Sequence, residues 1–275
     1  MLELSYPVLT PDADINMMAW GGNYDDIFSK LQSWEYGKVE LLVRDAYTVN
    51  VELLTEKLQE YKLGIAQIAT GPMQRLDHIF LMSPDPVIRK KAVNQLEGLI
   101  ELGSKFKAPV VIAKFRGQTG DVTGCHLDDL ASLLHSAEEA AFSSGIELLI
   151  EPQSAPGINN LNGIEESVQW IEDNGLKYTK LLMDTFHMGV TEHDVVESMK
   201  MYSTYLGGIH LAETERRIPG LGALDFSAIL ETLASLRFQG PVSMEVKQIP
   251  DSATAAFLSC RAIRYLERWN KAISV

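Results

Sequence analysis

The chain has 275 residues, 46% of them hydrophobic and 22% charged, with a formal net charge of −13 and a pI near 4.9. That length suits one α/β barrel or two smaller domains, while the acidic balance argues against a nucleic-acid groove, which shows as a basic face, and against attraction to anionic lipid. No apolar run approaches the roughly 20 residues that span a membrane, the start Met-Leu-Glu-Leu-Ser-Tyr-Pro lacks the basic and apolar stretches of a signal peptide, and Cys125 and Cys260 form no CxxC pattern, so reduced thiols in a cytoplasmic protein are expected.

Leu2 to Tyr6 reads as a first strand closed by Pro7, followed by a loop to Asn23 in which Met17, Met18 and Trp20 stand as exposed or lid-like groups. Asp25 to Tyr36 spaces Ile27, Phe28, Leu31 and Trp34 along one helical face. Val39 to Val43 is a second strand, Val51 to Tyr61 a second helix and Gly64 to Ala69 a third strand, ended by a Gly71-Pro72 turn. A loop from Met73 to Pro84 leads to Ser83-Pro84-Asp85-Pro86, which supplies cap chemistry with prolines where a missing N–H costs little; the helix then runs through Val93, Leu96, Leu99, Ile100 and Leu102. Pro109 to Ala113 is strand four, Leu127 to Phe142 helix four, and Ile146 to Ile150 strand five. A helix over Ile164 to Ile171, a sixth strand ending at Asp184, a helix from Val195 to Leu206, a seventh strand ending at His210, a helix over Phe226 to Leu236, an eighth strand over Pro241 to Met244 and a closing helix over Thr254 to Ala272 complete the chain. Eight strands alternate with eight helices, with no linker or low-complexity segment. The expectation is one (β/α)8 barrel domain over residues 1–275. No Gly-rich phosphate fingerprint appears, so no nicotinamide cofactor is expected.

Four successive strands end on side chains able to ligate a metal: Glu151, Asp184, His210 and Glu245, separated by 33, 26 and 35 residues. A barrel allows roughly 30 residues per strand–helix unit, which brings all four to one end of it. His187 follows Asp184 by three residues; an Asp capping the next helix and a hydrogen-bonded core His is the alternative reading there. Three carboxylates and one neutral imidazole form a hard, oxygen-rich set suited to Mn²⁺, Mg²⁺ or Co²⁺ and tolerant of Zn²⁺. A divalent ion gripping a carbonyl and a neighbouring hydroxyl stabilises an enediolate. Two glutamates on opposite sides of a substrate would invert a stereocentre; one alone would give aldose–ketose isomerisation.

These residues resemble the xylose-isomerase-like TIM barrels, and within them the D-tagatose 3-epimerase group of ketose 3-epimerases. Asp184-Thr185-Phe186-His187-Met188 is similar to that group's sixth-strand motif, and His210, Glu213, Arg216, Pro219, Gly220 and Gly222 fit its seventh-strand form H-x-x-E-x-x-R-x-x-P-G-x-G. The resemblance implies Glu151, Asp184, His210 and Glu245 as metal ligands, with Mn²⁺ foremost. It implies Glu151 and Glu245 as the acid/base pair, and His187 and Arg216 as substrate-binding residues. It also implies a homo-oligomer acting on a small sugar, with C3 epimerisation of a free or phosphorylated ketose ahead of aldose–ketose or hydroxypyruvate-type isomerisation. One position departs. Where the epimerases place a sugar-contacting Glu six residues after the fifth-strand Glu, this chain has Gly157, and its Pro156-Gly157 resembles hydroxypyruvate isomerase-like members.

Other polar residues invite plainer readings. Arg116 reads as a surface ion pair, Arg217 as structural, and Glu213 as a residue orienting a neighbour. His78, His126, His135 and His193 read as surface residues, and Tyr6 and Trp20 as core. An endonuclease IV-like nuclease shares the barrel but needs further His ligands after strands two and three, which end here in Arg44-Asp45 and Thr70-Gly71.

Overall fold

Eight parallel strands pair in sequence order, and the eighth returns to the first to close a barrel. They are β1 Leu4–Leu9, β2 Lys38–Leu42, β3 Gly64–Ala69, β4 Val110–Ile112, β5 Leu148–Ile150, β6 Thr179–Asp184, β7 Leu206–His210 and β8 Val242–Ser243. The computed structural model describes residues 1–120, 125–155 and 157–273. Pro156, named above as half of a Pro-Gly pair, lies outside them. The strand sequences alternate between two cores. Leu41, Val110, Ile112, Leu148, Ile150 and Leu181 face the surrounding helices in the larger one. Leu9, Leu42, Ala69, Val111, Leu149 and Leu182 fill the barrel interior in a second. Burial on both faces explains why these runs are almost wholly apolar.

The outer layer follows the periodicity. The helices α1 Tyr24–Ser33, α2 Val51–Glu60, α4 Pro86–Phe106, α5 Leu127–Ser143, α6 Ile164–Asp173, α8 Val195–Met201, α9 Phe226–Ser235 and α10 Ser252–Ile273 return the chain between strands. Two short helices, α3 Gly71–Asp77 and α7 Thr185–Thr191, are added directly after β3 and β6. Asn23, Asn50, Asp85 and Asp225 cap α1, α2, α4 and α9 by accepting from backbone N–H groups.

The structure corrects several local expectations. Gly71-Pro72 opens α3 rather than a turn, because a proline costs nothing in a first helical turn. The eight expected helices become ten among the described residues. The expected helix over Val195 to Leu206 stops at Met201, and a 3₁₀ turn at Ser203–Tyr205 leads into β7. Pro7 does not close β1. Its carbonyl accepts from Trp20 N–H at 2.8 Å on the side where β8 has already ended, so the missing proline N–H deprives no neighbouring strand of a bond. Trp20 itself bridges Val8 and stacks on Trp34 with centroids 6.2 Å apart, so it packs as core rather than as a lid. Tyr6 is fully buried, and His78, His126, His135 and His193 are exposed, as read from the sequence. Cys125 and Cys260 are both buried, and among the described residues no helix is long and apolar enough to cross a membrane.

Candidate metal centre

Strand parity delivers four side chains to one point. Leu149, Leu182, Gly208 and Ser243 lie two residues before Glu151, Asp184, His210 and Glu245, so each of the four continues the inward-facing row of its strand. Asp184 and His210 are the last residues of β6 and β7 and are register partners. One ligand atom from each of the four lies within 4.8 Å of all the others. His210 Nδ1 is 3.5 Å from Glu151 Oε1, 3.4 Å from Asp184 Oδ2 and 3.3 Å from Glu245 Oε2. Ligands about 2.1 Å from a common ion stand about 3.0–3.4 Å apart, depending on coordination number. His210 Nδ1 and Glu151 Oε1 are also buried without a hydrogen-bond partner. Such orphans are rare, and one divalent cation between them would satisfy both, so the donor set fits a metal.

Two buried residues inside the barrel aim the imidazole. Both carboxylate oxygens of Glu40 lie 3.1 Å from His210 Nε2, and the Gln67 amide nitrogen is 2.8 Å from it. With Nε2–H donated to Glu40, the Nδ1 lone pair points at the three carboxylates, the arrangement expected behind a metal-binding His. A register shift between Val39 and Glu40 sets Glu40 level with Gln67. Burial alone pulls the His210 imidazole down, but Glu40 and then Glu245 outweigh it and hold the group well above its ordinary range. Burial would raise Glu40, and the facing imidazolium instead holds it below its ordinary range. A cation at Nδ1 would take the place of that proton.

Asp184 caps the next helix with one carboxylate oxygen and turns the other toward the cluster. Oδ1 accepts from Phe186 N–H at 2.8 Å and His187 N–H at 3.2 Å, capping α7. Oδ2 faces His210 and Arg216, whose Nη1 lies 2.5 Å from it and 2.5 Å from Glu245 Oε2. Burial would raise Asp184, yet the Arg216 guanidinium drives it far below the carboxylate range. Glu245 goes the other way: burial raises it, against the pull of Arg216. Two carboxylates of one cluster are thereby pushed apart in acidity.

Arg216 is held in an unusual backbone. Glu215 and Arg216 have φ of 60° and 58°, a left-handed conformation that costs a non-glycine residue on the order of 1 kcal/mol. Arg216 N–H donates to Glu213 O at 2.9 Å, and Lys247 N–H donates to Arg216 O at 2.8 Å. The Glu213 carboxylate is fully buried and accepts from Thr214 and Leu224 N–H, bracing the same loop. Phe186 lies under the guanidinium at 4.6 Å. His187 Nε2 is 2.8 Å from Arg216 Nη2, and its Nδ1 faces the Ser154 hydroxyl at 2.9 Å. Burial, opposed by Asp184, lowers His187 to about 4, so it is neutral near pH 7. Arg217 is exposed and pairs with Glu215.

Arg116 is no surface ion pair. It is fully buried and donates to Asn160 Oδ1, Ala113 O, Glu151 O, Asn160 O and Leu161 O over 2.9–3.3 Å. It ties the loop after β5, including the carbonyl of Glu151, to the end of β4. Sequence reasoning missed Arg116, Glu40 and Gln67. The available signal for the last two was a polar side chain inside an apolar strand run.

The sequence model of the xylose isomerase-like TIM barrel family matches residues 28–266. A D-psicose 3-epimerase of Enterocloster bolteae is 25% identical over 240 residues, 82% of this chain and 77% of the relative. A 3-dehydro-D-guloside 4-epimerase of Escherichia coli is 25% identical over 213 residues, 73% of this chain and 81% of the relative. Among solved structures, D-psicose 3-epimerase from Clostridium cellulolyticum with D-tagatose superposes with a TM-score of 0.76 at 17% identity, covering 98% of this chain and 99% of that one.

Proposed function

The chain belongs to the xylose isomerase-like TIM barrel family, and from that premise we propose that it is a divalent-metal-dependent sugar epimerase that inverts C3 of a ketose. The observation that carries the reading is the cluster of Glu151, Asp184, His210 and Glu245 within 4.8 Å, which contains two glutamates from strands on opposite flanks of β6 and β7. The relatives named above act as epimerases beside a sugar carbonyl, which supports the same reaction class here.

Glu151, Asp184, His210 and Glu245 would hold the cation, Mn²⁺ foremost. When bound, it supplies Lewis-acid stabilisation of the negative charge that develops on the substrate oxygens. Glu151 and Glu245 each offer a second carboxylate oxygen, so one removes the C3 proton from one face and the other returns a proton to the opposite face. Burial keeps Glu245 above its ordinary range, which suits a group that alternates between acid and base. Arg216 and the neutral His187 bind the sugar hydroxyls beside the reacting carbon. Glu40 keeps His210 in one orientation throughout. Gly157 favours aldose–ketose or hydroxypyruvate-type isomerisation as the second reading. The nuclease reading requires further His ligands after β2 and β3, and those strands instead offer Glu40 and Gln67, which back His210.

Incubation with a panel of ketoses in D₂O with Mn²⁺ tests the proposal. Deuterium at C3 with inversion supports the epimerase, and label at C2 of an aldose supports the isomerase. Glu151→Gln and Glu245→Gln should each abolish exchange, and exchange that survives in both overturns the two-glutamate mechanism.

A further inference from the structure

Lys114 stands two residues beyond β4, at the end of the barrel that holds the metal centre. Its ammonium has no hydrogen-bond or ion-pair partner among the described residues. A β-carbon built on Gly157 would lie 3.0 Å from Lys114 Nζ, 3.2 Å from its Cε and 3.3 Å from Ser154 O. The ammonium therefore stands where a side chain at 157 would begin. Ser154, in the same loop, gives its N–H to His187 Nδ1 at 3.1 Å, which ties this loop to the Arg216 side of the metal centre.

Lys114 and Gly157 also line a cavity of about 290 Å³ that reaches Gln74, Phe80, Pro84 and Gln118. Every lining residue belongs to the connections after β3, β4 or β5, so the cavity opens on the catalytic end. Among the described residues of that lining, Lys114 is the one that carries a charge. In a chain of net charge −13, a cation facing a cavity with no acidic group among its described lining residues attracts an anion.

We infer that the ketose bound here carries an anionic substituent, a phosphate ester or a carboxylate, away from the metal centre, and that Lys114 selects it. The inference rests on the reading of the site as a ketose epimerase. A carboxylate at 157 would pair with this ammonium and repel such a substrate, whereas glycine leaves both the charge and the space free. Gln118, whose amide donates to Gly157 O at 3.2 Å, holds the loop beside it.

The test uses Mn²⁺-loaded full-length protein with a neutral ketose, its terminal phosphate ester and the matching ketouronate. Deuterium exchange at C3 gives kcat/KM, and calorimetry gives Kd for each. One charge-assisted contact corresponds to about 10- to 100-fold. The wild type should favour at least one of the two anions by that factor in both measurements, and which one identifies the anion. Lys114→Gln should bring the anionic-to-neutral ratio to within about threefold of unity, chiefly through KM. Gly157→Glu, whose β-carbon would stand 3.0 Å from Lys114 Nζ and 3.3 Å from Ser154 O, should reverse the preference. A wild type that binds neutral and anionic ketoses equally, or a Lys114→Gln variant that keeps the ratio, overturns the inference. Absence of exchange on all three compounds refutes the epimerase reading instead, and the calorimetric ratio still decides the role of Lys114.

Discussion

Replacing Arg116 with Met separates a buried anchor from a surface charge. Met retains most of the volume, so little cavity forms, but five acceptor interactions disappear: two with Asn160 and one each with Ala113, Glu151 and Leu161. Five lost hydrogen bonds at about 1 kcal/mol each amount to about 5 kcal/mol. Removing a desolvated charge returns part of this, roughly 2 kcal/mol, which leaves a net loss of about 3 kcal/mol. An exposed ion pair would be worth at most about 1 kcal/mol. For a chain of 275 residues the unfolding entropy is about 0.6 kcal/mol/K. The anchor therefore predicts a fall in Tm of about 5 °C, and the surface pair less than about 2 °C. Calorimetric melting of the chelated protein measures the difference without a metal contribution. A fall below 2 °C would refute the view that Arg116 holds the loop after β5 in place.

The remaining expectations concern the metal centre. Glu40→Gln weakens the orientation of His210 and should raise the Mn²⁺ Kd by about 10- to 100-fold in competition with a chelator; an unchanged Kd counts against Glu40 as the positioning carboxylate. Mn²⁺ at about 100 times its Kd should stabilise the native state by about 2.7 kcal/mol, or about 5 °C in Tm. That increment should vanish in an Asp184→Ala, His210→Ala double variant, and full Mn²⁺ occupancy of this variant would sink the proposed ligand set. Gly222→Ala places a β-carbon 2.3 Å from Thr214 Oγ1 and 2.5 Å from Glu213 Cγ. It should cost about 2 kcal/mol and raise KM by displacing the loop that carries Arg216; wild-type Tm and KM together would show that the loop does not depend on this close approach.

Much of the architecture was legible along the chain because its causes are local. Runs such as Val110–Ile112 and Leu181–Met183 are buried on both faces, so they are apolar without interruption, and in β5 to β8 an abrupt Glu, Asp or His marks where the strand reaches the catalytic end. Regular spacing then brings Glu151, Asp184, His210 and Glu245 together, since consecutive parallel strands in a closed barrel end side by side. The exposed histidines and the Asp85 cap follow from similarly local signals. Tertiary structure alone decided what depends on partners distant in sequence. Glu40 meets His210 across 170 residues and Gln67 meets it across 143. Nothing near either residue in the chain shows whether its side chain faces the barrel interior or the helices, because a shift of one residue in register exchanges the two faces. Arg116 looked solvated because its five acceptors are mostly backbone carbonyls, which no pattern of side chains reveals. Arg216 could be read as a loop arginine, but not as one held at positive φ between Asp184 and Glu245, because that conformation is imposed by Glu213, Lys247 and the closed end of the barrel rather than by its own sequence neighbours.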